Sequence, residues 1–400
     1  MSAAPAVSVV AADLPGEAMH ALEVLLGAIG ARLERASGDR PPTGVCLHYG
    51  TPTGEAHAGC AFVPRRPDDR LWRDLLDGNL APQGLDHHLR FDVVSATIAL
   101  LGDHEHQDRS RLRLDRHGRL RRADSFHGAA GYGALPIVNR YAAALEVALS
   151  AAGLRDPVPR WPEGKRYAIG LSHDVDRPDK YAVLRALRRP GTWLRRPYLV
   201  ARAGRDLVLR LRDRSPEDFW LFDPLMGSEA RRAMRSTFLF AAMPSQGGWG
   251  TRHDVHYDIG WTRFAPVFER MRAEGVEIGL HAAYAAHRGP RRLDEERRRL
   301  EELAGVAVQG LRHHYWQLGP DVTATLRAHE AAGFAYDSSL AFPDRIGLRR
   351  GIALPFRPWD AALGRPLRVL QLPVLAMDGA VCAEATSPEQ AAAELWSALE

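Results

Sequence analysis

The chain has 400 residues, of which 46% are hydrophobic and 26% are charged, and its formal net charge is +4. This length and composition predict a globular protein with two or more domains, each large enough for its own hydrophobic core. So small an excess of positive charge does not indicate a nucleic-acid-binding protein.

Three cysteines, Cys46, Cys60 and Cys382, are widely spaced, and no pair forms a CxxC motif. This argues against a disulfide framework or a structural zinc ribbon, and it favours a reducing compartment. Near the N-terminus no basic stretch precedes the apolar residues, and Asp13 and Glu17 interrupt them, so no secretory signal is expected. No apolar run reaches membrane-spanning length, and we therefore expect a cytoplasmic protein.

Residues 1–158 are predicted to form an N-terminal domain that mixes helices and strands. Apolar residues with helical spacing occur at 21–33, the segment 91–101 is apolar enough for a buried helix, and 136–149 is predicted to form another helix. The stretch DPVPRWPEG at 156–164 is rich in Pro and Gly and lacks periodicity, which predicts a linker. We therefore expect a second domain over residues 159–400.

A charged segment, residues 103–122, lies between two of the predicted helices. It contains His104, Glu105 and His106, whose side chains are of the types that bind metals. A solvated loop is the simpler interpretation of so many consecutive polar residues, and no catalytic motif is evident in this domain.

Ten arginines between residues 185 and 214 alternate with Leu, Val, Trp and Tyr. This pattern is typical of amphipathic helices whose arginine faces are solvated. It is also compatible with a surface that contacts an anionic lipid, a nucleotide-linked sugar or a polymer, which would bring the protein into peripheral contact with a membrane.

After residue 160 short apolar runs alternate with helical segments, as expected for βα units with parallel pairing. The runs are at 167–171, 236–242, 276–280, 306–311, 334–336 and 369–372. Either a (β/α) barrel or a doubly wound sheet would satisfy this order.

Charged and imidazole side chains follow four of these runs. They are His173, Asp174 and Asp176; His281; Arg312, His313 and His314; and Asp337. In parallel α/β folds the carboxyl ends of the strands meet at one face, where functional sites are built. Carboxylate and imidazole ligands suit Zn²⁺ or a similar divalent ion. The sequence therefore predicts a metal-assisted hydrolytic site on this face.

These segments resemble the polysaccharide deacetylases of the chitooligosaccharide-deacetylase type, carbohydrate esterase family 4. The shared motifs are LSHDVDRP at 171–178, STF at 236–238, EIGLH at 277–281, GLRHHY at 310–315 and the stretch 336–360. Residues 91–141 are similar to an accessory domain that precedes some of these enzymes. The resemblance implies a distorted, incomplete (β/α) barrel after a smaller α/β domain, and metal-dependent removal of acetyl from an N-acetylated sugar.

The resemblance also implies roles for individual residues. Asp174 matches the catalytic base that deprotonates the attacking water, and Arg312 matches the arginine that braces this base. Asp176 and His281 match metal ligands. The implied metal is most simply Zn²⁺, with Co²⁺, Ni²⁺ or Mn²⁺ as alternatives.

The chain departs from the family pattern at two places. Where the family has a second histidine four residues after the first, this sequence has Ala285, so we predict His314 as the third ligand. The family also has a late histidine that acts as general acid, whereas this sequence ends in a predicted helix, as if the last βα unit were missing. His173, His253 and His256 are the candidate substitutes for the acid.

Five residues in loops beside the predicted strand ends are expected to contact the substrate. They are His253, Asp254, Tyr315, Asp337 and Arg345. The alternative roles are helix capping, satisfaction of loop amides and ordinary ion pairs.

The expected substrate is an N-acetylated sugar or a polysaccharide precursor used in surface polysaccharide biosynthesis. A second possibility is a catalytically degenerate deacetylase fold that binds glycans or serves as a scaffold. A third takes Asp174 and Asp176 as the D-x-D motif of a metal-dependent phosphatase or glycosyltransferase.

Overall fold

A computed structural model of the chain describes most of the sequence. The described residues are 4–36, 44–50, 60–65, 88–107, 112–179, 203–204, 207–208, 211, 219–243, 253–255, 257–383 and 385–399. The arginine-rich segment 185–214 lies almost wholly outside them, as does His256, so their predicted roles stay predictions.

The helices and strands alternate along much of the chain. The strands are β1 Ala6–Val10, β2 Arg32–Arg35, β3 Cys46–Gly50, β4 Cys60–Pro64, β5 Leu171–Val175, β6 Ser236–Phe240, β7 Glu277–Ala282, β8 Gly310–His313, β9 Tyr336–Asp337, β10 Trp359–Asp360, β11 Arg365–Pro366 and β12 Leu370–Gln371. The α-helices are α1 Gly16–Ala28, α2 Val93–Leu101, α3 His104–Gln107, α4 Phe126–Ala129, α5 Ile137–Ala151, α6 Phe222–Ala230, α7 Ala265–Glu274, α8 Pro290–Ala304, α9 Val322–Ala331, α10 Asp378–Val381 and α11 Pro388–Leu399.

The chain forms two compact units. The first comprises Met1–Ala168, Pro320–Leu326 and Leu340–Glu400, and the second comprises Ile169–Gly319 and Arg327–Ser339. The division into residues 1–158 and 159–400 that the linker predicts stays a prediction.

The first unit contains a four-stranded parallel sheet in the order β2-β1-β3-β4. Helices α1, α2 and α5 bury apolar side chains in this unit. The helix predicted over 21–33 ends at Ala28, and its last residues belong to β2 instead. Asp92 is the N-cap residue before helix α2. Its carboxylate accepts a hydrogen bond of 2.8 Å from the backbone N–H of Ser95. Such a cap satisfies one of the N–H groups that a helix start leaves without a partner.

Cys46 and Cys60 form a disulfide, contrary to the expectation from their spacing. They occupy directly paired positions of the neighbouring parallel strands β3 and β4, with their Cα atoms 4.6 Å apart. A separation of 14 residues in sequence does not reveal this pairing, because strand register decides it. The cysteine argument for a reducing compartment is therefore lost, and the cytoplasmic location stays a prediction.

The segment around Asp103 is not a solvated loop. Asp103, Glu105 and His106 are buried. The Asp103 carboxylate bonds the Arg350 guanidinium, and it lies 2.7 Å from Nδ1 of His106. Because Arg350 already neutralises Asp103, and Arg349 reaches Nε2 of His106 at 3.1 Å, this cluster is a buried ion network rather than a metal site.

The second unit contains five parallel strands in the order β9-β8-β7-β6-β5. Helices α7 and α8 end at Gly275 and Gly305, both with left-handed φ angles of 66° and 68°, as expected for glycine C-caps. One hydrophobic core, rich in Phe, Ala and Leu, packs around these strands and helices. The parallel α/β class is confirmed. The described strands of this unit form an open sheet, and the incomplete barrel stays a prediction.

Among the described residues, no helix combines the length and the apolar character needed to cross a membrane.

Candidate metal centre

The parallel register of the second unit brings the predicted site residues to one edge of its sheet. Val175 pairs with Phe240, Phe240 with Leu280, and His281 with Arg312. The carboxyl ends of β5, β7 and β8 are therefore level. Asp176 directly follows β5, and His314 directly follows β8.

Asp176, His281 and His314 place three ligand atoms in a tight triangle. Oδ1 of Asp176 lies 3.0 Å from Nε2 of His281 and 3.3 Å from Nδ1 of His314, and the two nitrogens are 2.9 Å apart. Ligands about 2.0–2.2 Å from a zinc ion, at angles of about 90–110°, are separated by roughly 2.8–3.6 Å. The spacing and the mixture of imidazole nitrogen and carboxylate oxygen thus fit a divalent ion such as Zn²⁺.

The surroundings of these ligands favour the metal-binding form of His281. Its Nδ1 lies 3.0 Å from the carbonyl oxygen of Arg312, so Nδ1 carries the hydrogen and the lone pair of Nε2 faces the triangle. The His281 ring is 2% exposed, whereas the Asp176 side chain is 51% exposed. The triangle is therefore closed on the protein side and open on the solvent side, as a catalytic metal site requires.

His281 and Asp176 each shift the pKa of the other. Burial lowers the pKa of His281, but the neighbouring carboxylates of Asp174 and Asp176 outweigh it and raise the pKa. Burial raises the pKa of Asp176, but His281 and His314 outweigh it and hold the pKa well below its usual range. Asp176 is thus a carboxylate at neutral pH, which is the form that binds a metal.

Asp174 has a separate partner. Arg312 donates from Nη1 to Oδ1 of Asp174 at 2.8 Å, from Nη2 to Oγ of Ser172 at 2.9 Å, and from Nε to the carbonyl oxygen of Ser338 at 3.0 Å. The guanidinium is therefore fixed by three acceptors, and it orients one carboxylate oxygen through a charge-assisted bond. Of the two carboxylates of the D-x-D motif, Asp174 thus contacts an arginine and Asp176 contacts two histidines.

Two buried carboxylates hold the backbone directly after β7. Glu296 of α8 accepts the Ala283 N–H at 2.9 Å, and Asp254 accepts the Tyr284 N–H at 2.7 Å. Burial, together with the nearby carboxylate of Asp254, raises the pKa of Glu296 to about 8. Asp254, predicted to contact the substrate, thus supports the loop that follows His281.

His287, six residues after His281, does not belong to the ligand triangle. Its Nδ1 is 3.0 Å from the carbonyl oxygen of Tyr284, and burial lowers its pKa. The position four residues after His281 is the buried Ala285, so the second histidine of the triangle comes from after β8 instead.

An aromatic cluster borders the triangle. The ring of Tyr315 is 4.8 Å from that of His314 and 5.7 Å from each of His253 and Tyr284, which are themselves 4.8 Å apart. Tyr315 and Trp316 both have left-handed backbone angles, φ 59° and 52°, which are strained for bulky residues. Strain of this kind is concentrated at functional sites. The Tyr315 side chain remains 38% exposed.

Three further residues singled out in the sequence have other surroundings. Asp337 is fully buried and accepts the Ser339 hydroxyl hydrogen at 2.5 Å. Arg345 belongs to the first unit. Nε2 of His173 lies 2.7 Å from Oε1 of Glu229, which explains this histidine as an anchor between β5 and α6.

Glu296 is not among the site residues predicted from the sequence. The signal was present, because residues 293, 296, 300 and 304 share one face of α8 and are all buried. A glutamate on the apolar face of a helix indicates a buried acceptor or a functional group.

Neither a protein-family model nor a curated protein matches the sequence. A solved structure with some likeness is that of a Mycobacterium smegmatis protein provisionally described as a polysaccharide deacetylase. The identity is 18%, the TM-score is 0.31, and the match covers 54% of this chain and 60% of that chain. The match thus spans less than two thirds of the neighbour's length. A likeness at this score supports no inference about the fold or the activity of this chain.

Proposed function

We propose that the protein is a metal-dependent hydrolase that removes the acetyl group from an N-acetylated sugar. The observation that carries the proposal is the ligand triangle of Asp176, His281 and His314 beside a carboxylate, Asp174, that is bound by arginine instead. A site with three protein ligands, an open side and an adjacent base is the arrangement that hydrolysis of an amide requires.

Asp176, His281 and His314 would hold the ion. When bound, a divalent ion supplies a Lewis acid that polarises a carbonyl and brings the pKa of water to about 7. Asp174 would take the proton from the attacking water. Arg312 bonds Oδ1 of that carboxylate and so holds it in one orientation, and Oδ2 would be the oxygen that takes the proton.

The aromatic cluster supports a sugar as substrate. Tyr315 is exposed beside His314 and has an apolar ring face that can pack on the C–H face of a pyranose. His253 and Tyr284 support Tyr315 from the other side. We propose Tyr315 and His253 as substrate contacts. A polysaccharide precursor is the proposed physiological form of the sugar.

The phosphatase and glycosyltransferase alternatives are less well supported. A nucleophilic aspartate needs an unobstructed carboxylate, whereas Asp174 is bound by Arg312. A Mg²⁺ site is typically built from carboxylates, substrate phosphates and water rather than from two imidazoles. The ligands Asp176, His281 and His314 therefore favour a zinc-like ion over Mg²⁺, and hydrolysis of an amide over the phosphatase and glycosyltransferase reactions.

The test is release of acetate from N-acetylglucosamine oligomers and from nucleotide-linked N-acetyl sugars, after removal of metal and after addition of Zn²⁺ or Co²⁺. We expect release only with metal. Asp174→Asn should retain the metal and lose turnover, whereas Asp176→Ala should lose the metal. Full activity in chelator would refute the metal dependence. Sugar binding without acetate release under any metal would instead support a degenerate binding protein.

A further inference from the structure

The phenol of Tyr257 lies at the carboxyl end of β6, the strand between β5 and β7. Its oxygen accepts the backbone N–H of Ala241, the residue directly after β6, at 2.7 Å. Rings of Trp261 and Phe264 lie beside it, and the side chain is 8% exposed. Tyr257 is thus held by one hydrogen bond and by aromatic packing.

The sheet register puts this hydroxyl level with the ligand triangle. Because Val175 pairs with Phe240 and Phe240 with Leu280, the next residues, Asp176, Ala241 and His281, lie side by side. Neighbouring strands are about 4.8 Å apart. The Tyr257 oxygen, bonded to the N–H of the middle member of this row, therefore lies at the edge of the sheet that carries the proposed metal ligands.

The hydroxyl hydrogen of Tyr257 has no acceptor among the residues that the structure describes. The oxygen already accepts the Ala241 N–H, and no described oxygen or nitrogen accepts in return. A buried O–H that stays unsatisfied is costly, so its acceptor comes from what enters the site. Burial, with Asp176 and Asp174 nearby, raises the pKa of Tyr257 well above its usual value, so the group remains a donor at any physiological pH.

We propose that Tyr257 donates this hydrogen to the carbonyl oxygen of the acetamide and is a further catalytic residue of the hydrolysis. The inference rests on the proposed function. As water oxygen bonds to the carbonyl carbon, the π electron pair moves onto the carbonyl oxygen and its negative charge grows. A donor preset on this oxygen stabilises the charge. No bond of Tyr257 breaks; one water proton goes to Asp174 and from there to the amide nitrogen as the C–N bond breaks, which releases the amine and acetic acid, and the acid then loses its proton to solvent to give acetate.

The experiment compares Tyr257→Phe with Tyr141→Phe, a matched variant because Tyr141 is a buried tyrosine in the first unit. Zinc content, acetate binding to the zinc-loaded protein by calorimetry, and acetate release are measured for both. Tyr257→Phe should bind zinc like the wild type, bind acetate about 10-fold more weakly, and lose about 100-fold in kcat. Tyr141→Phe should change none of the three.

A second measurement uses the unmodified chain, in case Tyr257→Phe does not fold. In protein labelled with ¹³C at Cζ of tyrosine, acetate should shift one resonance when zinc is bound. Absence of this shift, or unchanged acetate affinity and kcat in folded Tyr257→Phe, would overturn the inference. A wild-type protein that binds zinc and acetate but releases no acetate from any sugar would refute the proposed function alone, since acetate binding still tests the donation.

Discussion

Arg312 and Asp174 are joined by a hydrogen bond of 2.8 Å across two intervening strands of the sheet. Asp174 is in β5 and Arg312 in β8, and both point to the same edge. The arginine uses its remaining nitrogens on Ser172 and Ser338, so its position is set independently of the carboxylate. The bond therefore orients Asp174 rather than merely balancing its charge.

Replacement of this arginine by lysine tests the orienting role. Arg312→Lys keeps the positive charge but cannot reach three acceptors with a planar fork. We expect kcat to fall about 100-fold, as for a displaced catalytic group, with zinc content unchanged. The matched control is Arg299→Lys, because Arg299 also bridges two acceptors, Asp258 and the Met243 carbonyl. Equal activities of the two variants would contradict the orienting role.

His314 and His287 offer a direct test of the third ligand. Both follow strands of the same sheet, but only His314 has a nitrogen within 3.3 Å of Asp176. His314→Ala should weaken zinc binding by more than about 100-fold, since loss of even an outer partner costs about 10- to 100-fold. Equilibrium dialysis with zinc measures this effect. His287→Ala should bind zinc as the wild type does, and the reverse result would move the ligand to His287.

The raised pKa of Glu296 leads to a prediction about how the free energy of unfolding depends on pH. Its pKa is raised from the ordinary 4.5 to about 8 in the folded protein, so between these values Glu296 holds more of its proton in the folded than in the unfolded state. The contribution of Glu296 to stability must then fall as pH rises from about 4.5 to 8, by on the order of a few kcal/mol.

Urea unfolding of the metal-free protein at pH 5.5 and 8.5 measures this dependence. Glu296→Gln still accepts the Ala283 N–H but does not titrate, so its loss of stability over this interval should be smaller than that of the wild type. Glu295→Gln, at the neighbouring partly exposed position, should behave as the wild type does. Identical slopes for all three proteins would rule out a protonated Glu296.

Asp103 and Arg350 form a buried ion pair in the first unit, and we expect its disruption to lower the free energy of unfolding strongly. Arg350→Met leaves the Asp103 carboxylate buried beside His106 without its arginine. Breaking one side of a buried pair costs about 3–5 kcal/mol, measured as the free energy of unfolding. Arg121→Met breaks the exposed Arg121–Asp124 pair and should change stability little. A small effect at Arg350 would mean that water reaches Asp103.

Local patterns in the sequence were sufficient to predict several helices. The apolar segments 91–101 and 136–149 predicted α2 and α5. The predicted final helix is α11, and at its start the Ser387 hydroxyl accepts the backbone N–H of Gln390 at 3.2 Å. The reciprocal bond, however, goes to the Thr386 N–H rather than to Ser387. Such features depend on residues within one or two turns of each other, so spacing alone specifies them.

The order of polar residues after the strands likewise predicted which side chains meet, because parallel strands end at one edge. By itself the sequence thus determined the parallel α/β class and the candidate ligands. Only the tertiary structure buried Glu296 against the backbone after β7 and bonded the Tyr257 hydroxyl to the residue after β6. It also paired Cys46 with Cys60 and buried Asp103. Each of these depends on the register between elements far apart in the chain, and no local periodicity encodes that register.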